Sequence, residues 1–129
     1  MNNYRCEKIY KAIIEKKERV VIIGDLHADY NKTIQLFIKL KLVKNVNNKY
    51  IWDAKPLNTV VVQLGDQLDG GGRGKGESYG ELEIINFMED IHSQAFVKGG
   101  GVYSLIGNHE IMNLLGDFRY ASNKDIDNQ

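Results

Sequence analysis

The apolar positions of the chain alternate between short continuous runs and stripes with helical spacing. Three runs rich in β-branched residues predict buried strands over Arg19 to Ile23, Thr59 to Leu64 and Val102 to Ile106. Between these runs, apolar residues three and four apart predict helices over Asn31 to Val43 and Glu81 to His92. The order β-α-β-α-β predicts an α/β fold with a parallel sheet and right-handed crossovers.

Each predicted helix has an expected core face. Four apolar residues are expected to face inward on the first helix: Ile34, Phe37, Ile38 and Leu42. On the second helix the expected set is Leu82, Ile85, Met88 or Phe87, and Ile91. Asp29 precedes the first helix, where its carboxylate is expected to cap the free backbone N–H groups.

The segments around these elements are expected to be less regular. Tyr4 to Lys17 predicts an amphipathic helix, which serves either as an ordinary covering helix or as an N-terminal brace. Asn45 to Lys49 predicts a polar turn, and Tyr50 to Asp53 a short strand or part of a hairpin. Gly65 to Gly80 predicts a long loop, and Asn123 to Gln129 a polar tail.

Polar side chains follow each of the three predicted strands, directly after a glycine. The first strand runs into Gly-Asp-Leu-His, the second into Gly-Asp-Gln-Leu-Asp and the third into Gly-Asn-His-Glu. In open α/β sheets ligands bind beyond the carboxyl ends of the strands. We therefore expect one cluster, made of Asp25, His27, Asp66, Asn108 and His109.

The chemistry of this cluster suits metal ions. Asp25 and His27 lie two apart, so on an extended segment both point the same way and grip one ion; the alternative for Asp25 is a helix cap. Asp66 offers two oxygens that bridge two ions, which two-metal sites hold about 3.5–4 Å apart. Asn108 offers a neutral oxygen to the second ion, or else is only a turn residue with positive φ.

His109 has two possible roles, metal ligand or general acid. Adjacent residues point apart in an extended segment, so Asn108 on a metal disfavours His109 on the same metal. A histidine that only satisfies the core is the plainer alternative. His92 fits no motif; it is predicted to be structural, near a helix C-terminus where its charge is favourable.

Together the motifs G-D-x-H, G-D-x-x-D and G-N-H-E resemble the signature of calcineurin-like metallophosphoesterases. The longer run from Gly107 to Tyr120 resembles the Shewanella-like protein phosphatases, and the likeness covers residues 19 to 120. The resemblance implies hydrolysis of phosphate monoesters by a two-metal mechanism with Mn, Fe or Zn. It also implies that His109 protonates the leaving oxygen and that Asp69 holds the imidazole.

Two arginines are expected to face phosphate. The family usually has Arg-Gly after the second Asp of the middle motif, where this chain has Gly70 and Gly71. Arg73, in the glycine-rich loop 70–76, either takes that role or is a solvated loop residue. Arg119 either anchors a phosphate or forms a salt bridge to Asp117 or Glu110. The loop fails the P-loop pattern, because Gly74-Lys75 is followed by Gly76.

The ligand count is uneven, since no histidine follows His109 in the sequence. One ion would keep Asp25, His27 and Asp66, and the other only Asp66 and Asn108, so one site is expected to be well held. Residues 1–129 are thus expected to form a single, incomplete domain that needs a C-terminal half. The alternatives are an inactive remnant that binds metal or a partner, and a diadenosine-tetraphosphate hydrolase or phosphodiesterase of the same superfamily.

The amino-acid composition limits the kinds of binding partner that we expect. The chain carries 17 basic and 17 acidic residues, so no net field recruits nucleic acid or a membrane surface. The first residues form no signal-peptide core, no apolar run is long enough to span a bilayer, and Cys6 is the only cysteine. We expect a cytoplasmic protein that acts on phosphorylated proteins or small phosphoesters.

Overall fold

The structure, a computed structural model, describes residues 12–70 and 80–121. Five strands and three helices follow one another along this part of the chain. In order they are β1 (Val20–Ile23), α1 (Tyr30–Lys39), β2 (Val43–Val46), β3 (Lys49–Trp52), β4 (Val60–Gln63), α2 (Glu81–Phe96), β5 (Gly101–Ser104) and α3 (Asn108–Leu114).

The three strands predicted from sequence form one parallel sheet in the order β1-β4-β5. Their last residues, Ile23, Gln63 and Ser104, lie in one register row. Because all three strands end level and point the same way, the polar residues that follow them emerge at one edge of the sheet. The predicted α/β class and the predicted juxtaposition of the three strand ends are confirmed.

Helix α1 begins as predicted but ends earlier. The Asp29 side chain accepts a hydrogen bond from the Lys32 backbone, at 3.0 Å, and so caps the helix. Lys41 has φ of +55°, and Leu42 donates its N–H to the Phe37 carbonyl. This left-handed C-terminal closure stops the helix, and Val43 starts an antiparallel hairpin of β2 with β3.

The core lies between the sheet and the two long helices. Its sheet side is made of Ile23, Val61 and Val102, all buried. Its helical side includes these buried residues: Ile34 and Phe37 of α1, and Ile84, Phe87, Met88, Ile91 and Ala95 of α2.

Three of the predicted core positions are wrong. Ile38 is 43% exposed, Leu82 58% and Ile85 39%. Helix α2 carries apolar residues on more than one face, so its sequence is compatible with two inward stripes. Packing against β5, β3 and α1 selects the stripe that contains Ile84 and Ala95.

Some predictions concern residues outside the described part. Residues 1–11 of the expected N-terminal helix, loop residues 71–79 with Arg73, and the tail after residue 121 belong to this group. Residues 12–17 are described and are not helical, so that part of the helix prediction is wrong; the Lys17 ammonium donates to the Gly99 carbonyl instead, at 2.9 Å. Within the described ranges, no helix is long and apolar enough to cross a membrane.

Replacing Gly65 with alanine should lower the free energy of unfolding by about 2–5 kcal/mol. Gly65 has φ of +96°, and a Cβ atom there would collide with the Gly107 backbone. Urea unfolding measures the effect. Gly116→Ala is the matched control for φ alone, since Gly116 has φ of +79° with open space around it. Gly24→Ala, with neither strain nor a neighbour, should leave stability nearly unchanged; equal losses in all three variants would contradict the proposed contact.

Candidate metal centre

The loops after β4 and β5 meet through two glycines and one carboxylate. A Cβ atom on Gly107 would collide with the Asp66 side chain, so glycine permits this approach. Asp66 is 9% exposed and its Oδ1 accepts the backbone N–H of His109, at 2.9 Å. Asn108 and His109 are the first residues of α3 and not an extended segment. The expected extended conformation of Asn108 and His109 is therefore wrong, and their roles stay predictions.

The loop after β1 is tied to the loop after β4. The backbone N–H groups of Leu26 and His27 both donate to the Asp66 carbonyl, at 3.0 and 2.9 Å. His27 has φ of +44°, so the expected extended Asp25–His27 segment is wrong. The two side chains nevertheless meet, with His27 Nε2 3.4 Å from Asp25 Oδ2.

The orientation of the His27 ring suits a metal ligand. Its Nδ1 lies 3.1 Å from the Leu68 carbonyl oxygen, which can only accept, so Nδ1 donates. In the neutral imidazole, the lone pair would then be on Nε2, which lies on the side of Asp25. Metal-binding histidines commonly have the second nitrogen bonded to a carbonyl in this way.

Three side chains offer ligand atoms within 4.8 Å of one another: His27, Asp66 and His109. Two imidazole nitrogens and a carboxylate oxygen fit Zn, Fe or Mn. Asp25 contacts His27 but is not a member of this group, and its side chain is 61% exposed. The residues therefore fit a metal ion, with His109 inside the group where sequence reasoning favoured a separate role.

Asn108 lies beside this group, against the carboxylate of Asp66. Its amide lies against the Asp66 carboxylate, and with the nitrogen turned inward it donates to Oδ2 at 2.9 Å. This orientation is the one that satisfies the hydrogen bonds of the metal-free chain. A metal ligand at Asn108 would need the amide turned over, with its oxygen inward.

His109 and Asp69 form a buried pair. The Nδ1 atom of His109 lies 2.8 Å from Asp69 Oδ2, and the two side chains are 8% and 0% exposed. The His109 ring meets the His27 ring edge to face, with centroids 4.9 Å apart. Since Nδ1 is engaged by Asp69, Nε2 is the nitrogen that can exchange a proton or bind a metal.

Glu110 is a site residue that sequence reasoning missed. Its Oε2 accepts the backbone N–H groups of Asp66 and Gly107, each at 2.8 Å. Its Oε1 accepts those of Gln67, at 2.7 Å, and Leu68, at 3.3 Å. One carboxylate thus joins the loop after β4 to the start of α3. The signal in the sequence was its place at the third helical position, where Glu reaches back to the helix start.

Two further residues that the sequence analysis singled out are Arg119 and His92. Arg119 donates to Asp117 through Nε, at 2.9 Å, and Nη2, at 2.7 Å, which is the salt-bridge alternative. Hydrogen bonding to Arg119 lowers the pKa of Asp117 and raises that of the guanidinium. His92 is structural, but for another reason than expected: α2 continues to Phe96, and buried His92 Nδ1 accepts the Val102 N–H at 3.1 Å.

A parallel sheet with Asp, His and Asn side chains gathered at its carboxyl edge belongs to the class of α/β proteins whose strand ends can bind a metal ion. The chain belongs to the calcineurin-like phosphoesterase family, whose model matches residues 18–128. It is 39% identical over 120 residues to Shewanella-like protein phosphatase 2 of Arabidopsis thaliana, covering 93% of this chain and 28% of that protein. It is 32% identical to Shewanella-like protein phosphatase 1 of Plasmodium berghei, covering 84% of this chain and 27% of that protein.

A solved structure supports the same family assignment. The crystal structure of a cold-active protein-tyrosine phosphatase of a psychrophilic Shewanella species matches with a TM-score of 0.68 and 30% identity. The match covers 81% of this chain and 28% of that one. The chain therefore spans less than a third of the length of these relatives.

Proposed function

We propose that this chain supplies the metal- and phosphate-facing part of a phosphoesterase that hydrolyses phosphate monoesters. The observation that carries the proposal is the buried His109–Asp69 pair, 2.8 Å apart, beside the group of metal-competent ligand atoms. Asp25, His27, Asp66 and Asn108 would hold two metal ions such as Mn, Fe or Zn, one of them well. When bound, the metals would activate water and neutralise charge on the phosphoryl group.

The proton in this reaction is assigned to His109. Asp69 is fully buried and accepts from Nδ1, which keeps the imidazole in one orientation and leaves Nε2 as the nitrogen for proton exchange. A proton on Nε2 would pass to the leaving oxygen as the P–O bond breaks. Arg73 and Arg119 are proposed to hold phosphate oxygens, and Arg119 would have to leave Asp117 to do so.

The proposed substrates are phosphorylated proteins. The similarity to proteins named as protein phosphatases supports this class, as does the similarity to a structure described as a protein-tyrosine phosphatase. A diadenosine polyphosphate is the alternative substrate, since the site's chemistry selects the phosphoryl group and not the rest of the molecule.

We also propose that the rest of the phosphatase domain packs on this unit. One face of the sheet is covered by the core helices, whereas Val20, Ile22 and Leu64 are 52%, 66% and 49% exposed among the described residues. Past β5, Leu105 and Ile106 are also exposed, at 50% and 67%. We propose that these exposed apolar side chains, on β1 and in the segments after β4 and β5, form the surface that the rest of the domain covers. A unit that binds metal or a partner without catalysis is the second candidate function, favoured by this face.

The 129-residue chain with Mn²⁺ should hydrolyse p-nitrophenyl phosphate well below the ordinary enzyme range of about 1–10³ s⁻¹. Co-expression with the C-terminal remainder of the Arabidopsis thaliana relative should raise turnover, because under this proposal that remainder would cover the exposed face and supply further ligands. Turnover is measured on four kinds of substrate: p-nitrophenyl phosphate, a phosphoserine peptide, a phosphotyrosine peptide and diadenosine tetraphosphate.

The same co-expression with Ile22→Lys is the matched control, since a charge on the exposed sheet face should prevent assembly without touching the metal residues. Ordinary turnover by the chain alone would contradict the need for a second part. Cleavage of diadenosine tetraphosphate but of no monoester would contradict the proposed substrate class.

A further inference from the structure

Asn113 lies on α3 one turn after His109, and its side chain points at the same buried carboxylate. Its Nδ2 lies 2.9 Å from both Asp69 Oδ1 and Asp69 Oδ2. The same nitrogen is 2.9 Å from the backbone oxygen of His109. Three acceptors therefore surround one amide group, and the orientation of that amide follows: only its nitrogen end can face them.

These contacts matter because the Asp69 carboxylate cannot form hydrogen bonds with bulk water. Its side chain is fully buried, so its oxygens depend on protein donors. The described donors to the carboxylate are His109 Nδ1, on Oδ2, and Asn113 Nδ2, on both oxygens. The Asp69 backbone is held separately, since its N–H donates to Glu81 Oε1 at 2.8 Å. Asn113 is thus the group that sets the rotation of the carboxylate.

We infer that Asn113 is a positioning residue that acts through Asp69 on the His109 imidazole. The inference extends the proposed function, in which His109 supplies the proton. By donating to both Asp69 oxygens, Asn113 holds the carboxylate in the plane where Oδ2 meets the Nδ1–H of His109. Without this donor the buried carboxylate is free to rotate about its Cβ–Cγ bond, and the Nδ1–H bond opens more often.

The test follows the His109 Nδ1 proton by NMR in the metal-free 129-residue chain at one fixed pH. The signal is assigned by its absence in His109→Gln. In Asn113→Ala we expect a shift of this resonance and exchange with water at least about tenfold faster, the effect of losing one charge-assisted hydrogen bond. Leu114→Ala is the control, since the neighbouring Leu114 side chain is 78% exposed on the same helix.

A double-mutant comparison shows whether the effect passes through Asp69. In the Asp69→Asn background, Asn113→Ala should change the proton signal little further, because the link is already broken. An unchanged signal in Asn113→Ala, or an equal change in both backgrounds, would overturn the inference. Should Asn113→Ala fail to fold, Asn113→Ser carries the test: its shorter side chain should move the signal in the same direction, and an unmoved signal would overturn the inference. The measurement needs no turnover, so it stands whether or not the chain is a phosphatase.

Discussion

Replacing Asp66 with asparagine should remove tight Mn²⁺ binding from the chain. Asp66 is the carboxylate of the ligand group and lies between Asn108 and His109 at the start of α3. Loss of an anionic ligand should weaken binding by more than the roughly 10–100-fold that removal of an outer-shell partner costs. Asparagine keeps one oxygen that can accept the His109 N–H, so the fold should survive. Calorimetric titration of wild type should show one tight site.

Three further variants test which residues hold the metal ion. Asp25→Ala should also remove the site, because Asp25 lies 3.4 Å from His27 Nε2, the nitrogen that would bind the metal. Asn108→Ala should weaken binding much less, since it removes a neutral ligand of the poorly held ion. Asp117→Asn, at the salt bridge with Arg119, is the matched acidic control and should bind normally. Two tight equivalents per chain would contradict the uneven ligand count.

In the completed, active protein, His109→Ala should lower kcat on a phosphoserine peptide by the 10²–10⁴-fold typical of general acid catalysis. The buried bond to Asp69 orients the ring for that role. A good leaving group needs less protonation, so p-nitrophenyl phosphate should suffer less. Asp69→Asn should show a milder form of the same pattern. Kinetics on both substrates, with metal content measured beside them, checks the assignment.

The metal content decides between the two roles of His109. If His109 is the acid, the variant keeps its metal near the wild-type level through Asp25, His27 and Asp66. An emptied site with equal damage on both substrates would identify His109 as a ligand, which is the role its place in the three-residue group suggests. Normal metal content with an unchanged kcat would contradict both roles.

The strand-to-glycine junctions were readable from local sequence. Runs such as Val20–Ile23 and Val60–Gln63 have few alternatives to a buried strand, and each ends at a glycine followed by metal-competent residues. The parallel order then follows from general rules about α/β units. Hence the cluster of Asp66 with His27 and His109 could be expected before any coordinates.

The local backbone conformations at these junctions could not be predicted from sequence. His27, Asp66 and Asp69 all adopt positive φ, which local propensity disfavours and neighbouring loops impose. The same holds for α2, whose two apolar stripes are equally acceptable until β5 and α1 select one. Where α1 ends is likewise decided by a closure at Lys41, a residue with no intrinsic preference for that conformation.

Local sequence, then, is sufficient for the strands, their glycine ends and the meeting of His27, Asp66 and His109 there, because strand period and sheet edge are short-range properties. Only the folded chain shows how these residues are held. Glu110 reaches backbone groups more than 40 positions away, and Asn113 reaches Asp69 across 44. Such bonds depend on where loops distant in sequence come to rest, and that is determined by the packing of the whole domain.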